Sequence, residues 1–508
     1  MDETRVKSRF KLRLPWQRPT DPTKAVIGSA HGHFAAGDFV AGERVLLSGL
    51  NQFPDSLSLK TELAELAITQ KNWQLARDRW EHILECHDER PPVTALVRAV
   101  YALRNCGAAF EAAATARHGL TLYPDSAPLL RELARSATAR EDWSEALSAW
   151  TNVLQSELGR MSSEAFASVS RSLRNLGKVK EAGAIIQTAL LEFPRDVCLL
   201  AERAVLENYN KGSFGGSLGR SDRRFQSVEI VVCVFDALDK TKKCLEALTL
   251  TTGQEQLITV VDDASKPEVR DFLLSFVSRG SNRRLLINKT NQGYTKSANR
   301  ALHAARADWA LLLNSDTLVT DGWLDGLLQC ANSDPALGAV GPLSNAATVQ
   351  SLPWAEPAME EDGSPRLEDV ECVAEQVRSL SVKAYPKVPM LNGFCLMLKM
   401  SALGEVGYLD EVRFPRGYGE ENDLCLRLLE RGYKLAIADD VYVYHSRSAS
   451  FGSNVREELT AKAVETLREL WPGYSYRYVS DVIHELPALR QLRSGLKGLE
   501  GVEQTSCN

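Results

Sequence analysis

No stretch of this sequence is long and apolar enough to cross a bilayer as a helix, which takes about 20 apolar residues. No signal-peptide core follows its first residues. None of its 10 cysteines forms a C-x-x-C pair, and their spacing is irregular. That argues against a disulfide framework. Cys233, Cys395 and Cys425 sit inside apolar runs, where reduced thiols pack as small hydrophobes. An excess of positive charge is also lacking, with 60 Lys and Arg against 66 Asp and Glu. A net charge of -6 argues against a general nucleic-acid binder. These absences point to a soluble chain in a reducing, cytoplasmic setting.

The composition, 44% hydrophobic and 25% charged, is that of a globular protein. At 508 residues the chain exceeds one ordinary core, so two or three domains are expected. One local surplus of positive charge stands at the start. Arg5, Lys7, Arg9, Lys11 and Arg13 alternate with Phe10, Leu12, Leu14 and Trp16. Residues 1–24 read as a basic, solvated tail, with peripheral contact at an anionic inner membrane face as the alternative.

Residues 25–209 have helical periodicity and an internal repeat. A small residue follows an aromatic or apolar one by three positions at Phe39/Gly42, Trp73/Ala76, Phe110/Ala113, Trp143/Ala146 and Val179/Ala182. The small residues step by 34, 37, 33 and 36. Each unit is too short to bury its own apolar face, so neighbours must stack. The pattern resembles the tetratricopeptide repeat, whose small residues let paired helices approach closely. Such an array offers a surface for a protein partner, or only spaces the C-terminal domain. Residues 210–227 are rich in Gly, Ser and Arg and read as a linker.

From Val228 the pattern changes to strands alternating with helices, which implies a mostly parallel sheet. Strands are expected at 228–235, 257–261, 285–288 and 309–313. Ligands bind outside the carboxyl ends of such strands, and Asp236, Asp262, Asp263, Asn291 and Asp316 gather there. Further on, Gly417 to Arg427 places Glu420, Glu421 and Asp423 at the start of a helix. Acids there complement the helix dipole, and Asp423 can pair with Arg427 one turn on.

Several motifs occur in a fixed order: Val261-Asp262-Asp263-Ala264-Ser265, Asn291-Gln292-Gly293-Tyr294 with Ala298-Asn299, and Asn314-Ser315-Asp316. Gly341 to Asn345, Asn392-Gly393-Phe394-Cys395, Gly419 to Asp423, and His445 leading to Ser450-Phe451-Gly452 complete the set. In this order they resemble a family 2 inverting glycosyltransferase with the GT-A fold. The expected architecture is therefore an all-α repeat array followed by an α/β GT-A domain over 228–485, with 486–508 as a C-terminal tail.

The resemblance implies a nucleotide-sugar donor and roles for these residues. Asp236, Asp262 and Asp263 would face the nucleotide, although either member of the Asp262-Asp263 pair can instead cap a turn. Asn291, Gly293, Asn299 and Asn314 would border the donor sugar. Asp316 and His445 would hold a divalent cation, Mn or Mg, that neutralises the leaving diphosphate. Glu421 would be the general base, with Glu420 beside it raising the pKa. Glu-Glu departs from the family's usual Glu-Asp, so either acid can be the base. Phe394, Tyr408 and Trp354 are aromatics available to an acceptor sugar, although core burial is their commoner fate. The acceptor would be a glycan or a lipid-linked saccharide. A protein acceptor captured by the repeats, and a non-enzymatic scaffold with an inactive transferase domain, are the alternatives.

Overall fold

The computed structural model describes residues 22–86, 90–156, 162–209, 226–352, 355–359, 363–446 and 453–499. The basic run at 5–13, most of the 210–227 linker, Trp354 and the Ser450-Phe451-Gly452 motif lie outside these. Among the described residues no helix is long and apolar enough to cross a membrane. The chain divides into two compact units, Met1–Met161 and Ser162–Asn508.

The described residues of the first unit form four helical hairpins. Its helices are α1 (Thr23–Ala35), α2 (Phe39–Gln52), α3 (Leu57–Thr69), α4 (Trp73–Glu85), α5 (Val93–Asn105), α6 (Ala109–Leu122), α7 (Ala127–Ala139) and α8 (Trp143–Gln155). Polar side chains start several of them. Asp38, Asn72 and Asp142 each accept from a backbone N–H three residues on, satisfying donors the first turn leaves open. Gly42, Ala76, Ala113 and Ala146 are all buried, each near the start of a hairpin's second helix. A Cβ at Gly42 would lie 2.2 Å from the Phe34 ring. The small residues are therefore where helices of a pair meet, as the repeat requires.

The second unit opens with three more helices, α9 (Ser163–Asn175), α10 (Val179–Glu192) and α11 (Val197–Leu206). They continue the repeat pattern, with Ala182 buried. The sequence puts the domain boundary at 210–227, but by packing it falls at Ser162. The reason is apolar: Val197, Leu200, Ala201 and Val205 belong to the same buried cluster as the sheet.

The strands are β1 (Val228–Val234), β2 (Leu257–Asp262), β3 (Arg283–Ile287), β4 (Trp309–Asn314), β5 (Thr317–Leu318), β6 (Leu337–Leu343), β7 (Cys395–Lys399), β8 (Lys434–Tyr442) and β9 (Tyr444–His445). They interleave with α12 (Leu238–Thr251), α13 (Pro267–Ser278), α14 (Tyr294–Ala304), α15 (Trp323–Ala331), α16 (Leu367–Leu380), α17 (Met400–Val406) and α18 (Glu420–Glu430). After β9 come α19 (Ser453–Leu470), α20 (Tyr476–His484) and α21 (Pro487–Leu499).

Seven strands form one sheet in the order β3-β2-β1-β4-β7-β6-β8, parallel except for β7. Nearly every residue of β1, β4 and β6 is buried, as the continuous apolar runs imply for strands covered on both faces. β5 and β9 pair separately and set Thr317 opposite His445. The C-terminal segment differs from the expected tail. α21 buries Leu489, Leu492 and Leu496 in the main core, so the sequence beyond 485 is integral to the unit at least to Leu496.

Candidate functional site

The site forms at the carboxyl ends of β1, β2 and β4. Left-handed backbone marks it: Asp236, Ala237 and Ala264 have φ of 56, 55 and 63°. Non-glycine residues there carry strain of about 1–3 kcal/mol each, which usually collects at functional loops.

The three aspartates have different settings. Asp236 is partly exposed, and one carboxylate oxygen accepts from Lys266 N–H at 2.9 Å, ahead of α13. Asp262 has no exposed surface. It accepts from Ser265 N–H and Arg270 Nε, both at 2.8 Å, which ties it to the turn and to α13. Asp263 accepts from Asn288 Nδ2 at 2.7 Å, Gln292 N–H at 2.8 Å and Gly293 N–H at 2.9 Å. It organises the Asn291-Gln292-Gly293 loop.

That loop meets the segment that leads to the acid pair. Gly293 has φ +84°, and a Cβ there would lie 2.4 Å from the Pro415 carbonyl oxygen, so only glycine fits. Thr295 Oγ1 donates to Phe414 O at 2.5 Å. Asn299 is buried and donates to Leu409 O at 2.8 Å and Glu411 Oε2 at 3.0 Å, while accepting from Leu409 N–H. These bonds join α14 to residues 409–411. Asn291 is exposed and accepts from Gly293 N–H at 3.1 Å.

Asp316 and His445 are brought together by the β5–β9 pairing. His445 Nε2 lies 3.4 Å from Asp316 Oδ1. His445 Nδ1 lies 3.0 Å from Ala346 O, which can only accept, so Nδ1 carries the proton. Nε2 is the ring nitrogen turned to Asp316, and a cation between them would meet both groups. Asn345 Oδ1 accepts from His445 N–H at 2.9 Å, and Phe394 stacks on the imidazole at 5.2 Å. Among the described residues no group of three or more His, Cys, Asp or Glu could hold a metal. A divalent cation would thus have two protein donors, one carboxylate and one imidazole, leaving positions open for phosphate oxygens. The donor set fits Mn or Mg bound with a diphosphate.

Glu420 and Glu421 begin α18 after three consecutive left-handed residues, Gly417, Tyr418 and Gly419. Glu420 is buried, and its Oε2 has no hydrogen-bond partner among the described residues. Burial first, and then the neighbouring Glu421 charge, push the Glu420 carboxyl well above the ordinary range. Burial also raises Glu421, which is partly exposed and accepts from Gly419 N–H at 3.2 Å. Asp423 pairs with Arg427 at 2.7 Å, as its spacing predicts, and also accepts from Trp471 Nε1.

One short segment joins both halves. A methyl group at Gly393 would sit 3.5 Å from the Glu421 side chain, while Phe394 stacks on His445 and its carbonyl accepts from Asn314 N–H at 2.8 Å. The acid pair, the Asp316–His445 pair and the β4 end therefore surround Asn392–Phe394. Phe394 is 1% exposed and supports His445 instead of meeting an acceptor. Tyr408 packs on His303, with ring centroids 3.9 Å apart. Sequence reasoning marks Gly341–Asn345 as a motif without a role; the Asn345 amide and the Ala346 carbonyl hold His445. Backbone acceptors of this kind leave no trace in residue identity.

Residues 229–369 match the model for glycosyl transferase family 2. The chain is 28% identical over 253 residues to an N-acetylglucosaminyl-diphospho-decaprenol L-rhamnosyltransferase of Mycobacterium tuberculosis, over 46% of this chain and 80% of the relative. A crystal structure of GalNAc-T7 with UDP, GalNAc and Mn2+ aligns with TM-score 0.37 and 14% identity over 54% of this chain. The chain spans about half the length of that transferase, 55%. A tetratricopeptide repeat protein from Parabacteroides merdae aligns with TM-score 0.34 and 19% identity, over 37% of this chain and 74% of its own. The match to the family model lies within the second unit.

Proposed function

We propose that this protein transfers a sugar, with inversion, from a nucleotide-diphosphate donor to the hydroxyl of a glycan or lipid-linked saccharide. The observation that carries the reading is the Asn392–Phe394 segment, with a raised-pKa glutamate against one side and the Asp316–His445 pair against the other. A base for the acceptor and a cradle for the leaving group thus share one site.

In the reaction the acceptor oxygen attacks the anomeric carbon on the face opposite the diphosphate. The carbon–phosphate-oxygen bond breaks, and its electron pair leaves with the diphosphate. Glu421 takes the acceptor proton. A carboxylate raised above its ordinary pKa is a stronger base, and Glu421 is the more exposed member of the pair. Asp316 and His445 would hold the cation, which supplies charge neutralisation at the diphosphate. Asp263 shapes the loop beside the donor. Asp236 is the strand-end aspartate with the most accessible carboxylate and the one we assign to the nucleotide. The rhamnosyltransferase relative acts on a sugar carried by a diphospho-polyprenol, and an acceptor of that class suits this chain, with transfer at the inner membrane face.

A panel of UDP-, GDP- and dTDP-sugars with Mn or Mg tests the reading. Asp316→Asn should fold and lose most metal-dependent turnover. Glu421→Gln should lose turnover while calorimetry still detects donor binding. Wild-type rates in Asp316→Asn with metal titrated would sink the assignment. An active Glu421→Gln beside a dead Glu420→Gln would move the base by one residue.

A further inference from the structure

The turn at 348–351 carries none of the site's acids, yet it touches both halves of the site. Gln350 is fully buried. Its Oε1 accepts from Asn392 N–H at 2.6 Å, and its Nε2 donates to Pro342 O at 2.6 Å. One partner can only donate and the other can only accept, so a single orientation of the amide satisfies both. The main chain adds a third tie, from Ser344 N–H to Gln350 O at 3.2 Å. Gly341 makes room for the amide, since a Cβ there would lie 2.7 Å from Gln350 Nε2. Thr348 is held in the left-handed region, at φ 50°, where a β-branched residue stays only under constraint. Its Oγ1 accepts from Asn392 Nδ2 at 3.4 Å.

These bonds end on the two segments that shape the site. Asn392 precedes Gly393, which abuts Glu421, and Phe394, which stacks on His445. Pro342 and Ser344 lead to Asn345, whose amide accepts from His445 N–H at 2.9 Å and donates to His445 O at 3.2 Å. Gln350 therefore bridges the segment beside the base and the strand end beside the Asp316–His445 pair.

A guanidinium from α21 holds the turn in its place. Arg493 Nη2 donates to Val349 O at 3.0 Å, and Ser351 O lies 3.5 Å from the same nitrogen. Arg493 is 9% exposed, and its Nη1 has no hydrogen-bond partner among the described residues. No carboxylate among them pairs with it, and burial alone lowers its pKa from the ordinary arginine value. A buried charge without a counter-charge costs the fold stability. An apolar side chain of the same length would avoid that cost, so the arginine is better explained by what it holds than by what it stabilises.

We propose that Gln350 and Arg493 are positioning residues of the transferase: Gln350 locks the Asn392–Phe394 segment in register with the strand end that holds His445, and Arg493 fixes the turn from which Gln350 reaches. The proposal rests on the transferase reading above. Both amide atoms of Gln350 are engaged and Arg493 is buried, so the two act through the segment and not on a substrate. A misplacement of about 1 Å in such a segment can cost roughly a hundredfold in rate. Arg493 lies beyond the family-matched residues 229–369, so this control comes from a helix outside them.

The test uses the full chain with UDP-, GDP- and dTDP-sugars and Mn, reading release of the nucleoside diphosphate with octyl glycosides of glucose and N-acetylglucosamine as acceptor probes. Gln350→Met should lower kcat about ten- to a hundredfold, with donor KM within about threefold. Arg493→Met should lower kcat about tenfold, again with donor KM within about threefold. Its Tm should nevertheless equal or exceed that of wild type, because an unpaired buried charge is gone. Arg493→Lys keeps a donor for Val349 O and should recover kcat to within about threefold of wild type. The double variant should be within about twofold of Gln350→Met alone, because both changes act through one turn. Where Gln350→Met fails to fold, the Arg493 pair of variants decides. Wild-type kcat in a folded Gln350→Met or Arg493→Met overturns the proposal, as do losses that multiply in the double variant. A lower Tm in Arg493→Met, with no recovery in Arg493→Lys, also overturns it and makes the arginine a structural residue. Absence of turnover of every nucleotide sugar by the wild type would instead overturn the transferase reading itself.

Discussion

Removing Glu485 should unfold the second unit several degrees early. The Glu485 side chain, at the end of α20, is 4% exposed and accepts from Arg171 Nε at 2.9 Å, Arg174 Nη2 at 2.9 Å and Asn175 Nδ2 at 3.1 Å. Arg174 is itself fully buried and pairs with buried Glu202 through two contacts at 3.1 Å. Two arginines and two glutamates thus balance charge away from water. Glu485→Ala leaves one buried positive charge without its partner. Breaking such a pair on one side costs about 3–5 kcal/mol. Unfolding entropy near 2.1 cal/mol/K per residue gives roughly 0.7 kcal/mol/K for a unit of about 350 residues. The expected drop in Tm is therefore about 4–7 °C.

Differential scanning calorimetry of the full chain reads this in the transition that includes the sheet. The pH dependence has a definite sign. Burial alone would raise the Glu485 carboxyl, but the Arg171 and Arg174 charges and the bonds from Arg171 and Asn175 outweigh it and hold the pKa below its ordinary value. A depressed acid stabilises the fold above its unfolded pKa and loses that contribution as pH falls through the folded one. The gap between wild type and Glu485→Gln should be full at pH 7 and close progressively below about pH 4. A Tm change under about 1 °C at pH 7 would refute the reasoning, because no buried ion pair could then be under load.

Three further outcomes are expected from the geometry. Gly293→Ala, strained at φ +84° and driven against Pro415 O, should cost about 1–3 kcal/mol and weaken donor binding, read by calorimetry; an alanine variant of wild-type stability and affinity would contradict the close approach. Glu420→Gln should raise thermal stability at pH 8 and change little at pH 4, since a carboxyl with a raised folded pKa favours the fold only while protonated; equal effects at both pH values would contradict that. A chain beginning at Gln226 should aggregate, whereas one beginning at Ser162 should be soluble and cooperative by circular dichroism, because Val197, Leu200 and Val205 complete the core under the sheet; a monomeric, folded Gln226 chain would show that the core closes without α11.

The strands, their order along the chain and the strand-end acids were open to reading because each depends on local signals. Val228–Val234 is apolar almost throughout, and a buried parallel strand demands that. Asp316 lies beyond a strand end, where the sheet architecture puts ligands. The acid pair sits at a helix start between a left-handed glycine turn and an apolar face, all visible in eleven residues. What local pattern cannot carry is pairing at long range. Arg171 and Glu485 are 314 positions apart, and nothing around either one marks it as half of a buried pair. For the same reason residues 486–508 look like a tail, although Leu489, Leu492 and Leu496 recur at helical spacing and are buried.

The domain boundary shows how composition and packing can part company. Glycine and serine at 211–219 read as a linker by composition, but a linker separates domains only if the chain before it has its own core. The last helices before it do not. α11 is buried along almost its whole length, with Leu199, Leu200, Ala201 and Val205 at 0% exposure, more than a solenoid helix with one free face could be. Its extra apolar face is legible in Val197-Cys198-Leu199-Leu200-Ala201. A helix apolar on all sides must be covered on all sides, and here the cover on the second side is the core under the sheet. The same helix start meets Pro472 and Gly473. An array that only spaced or tethered the catalytic domain would have no need of that second apolar face, nor of two buried arginines directed at its C-terminal helix.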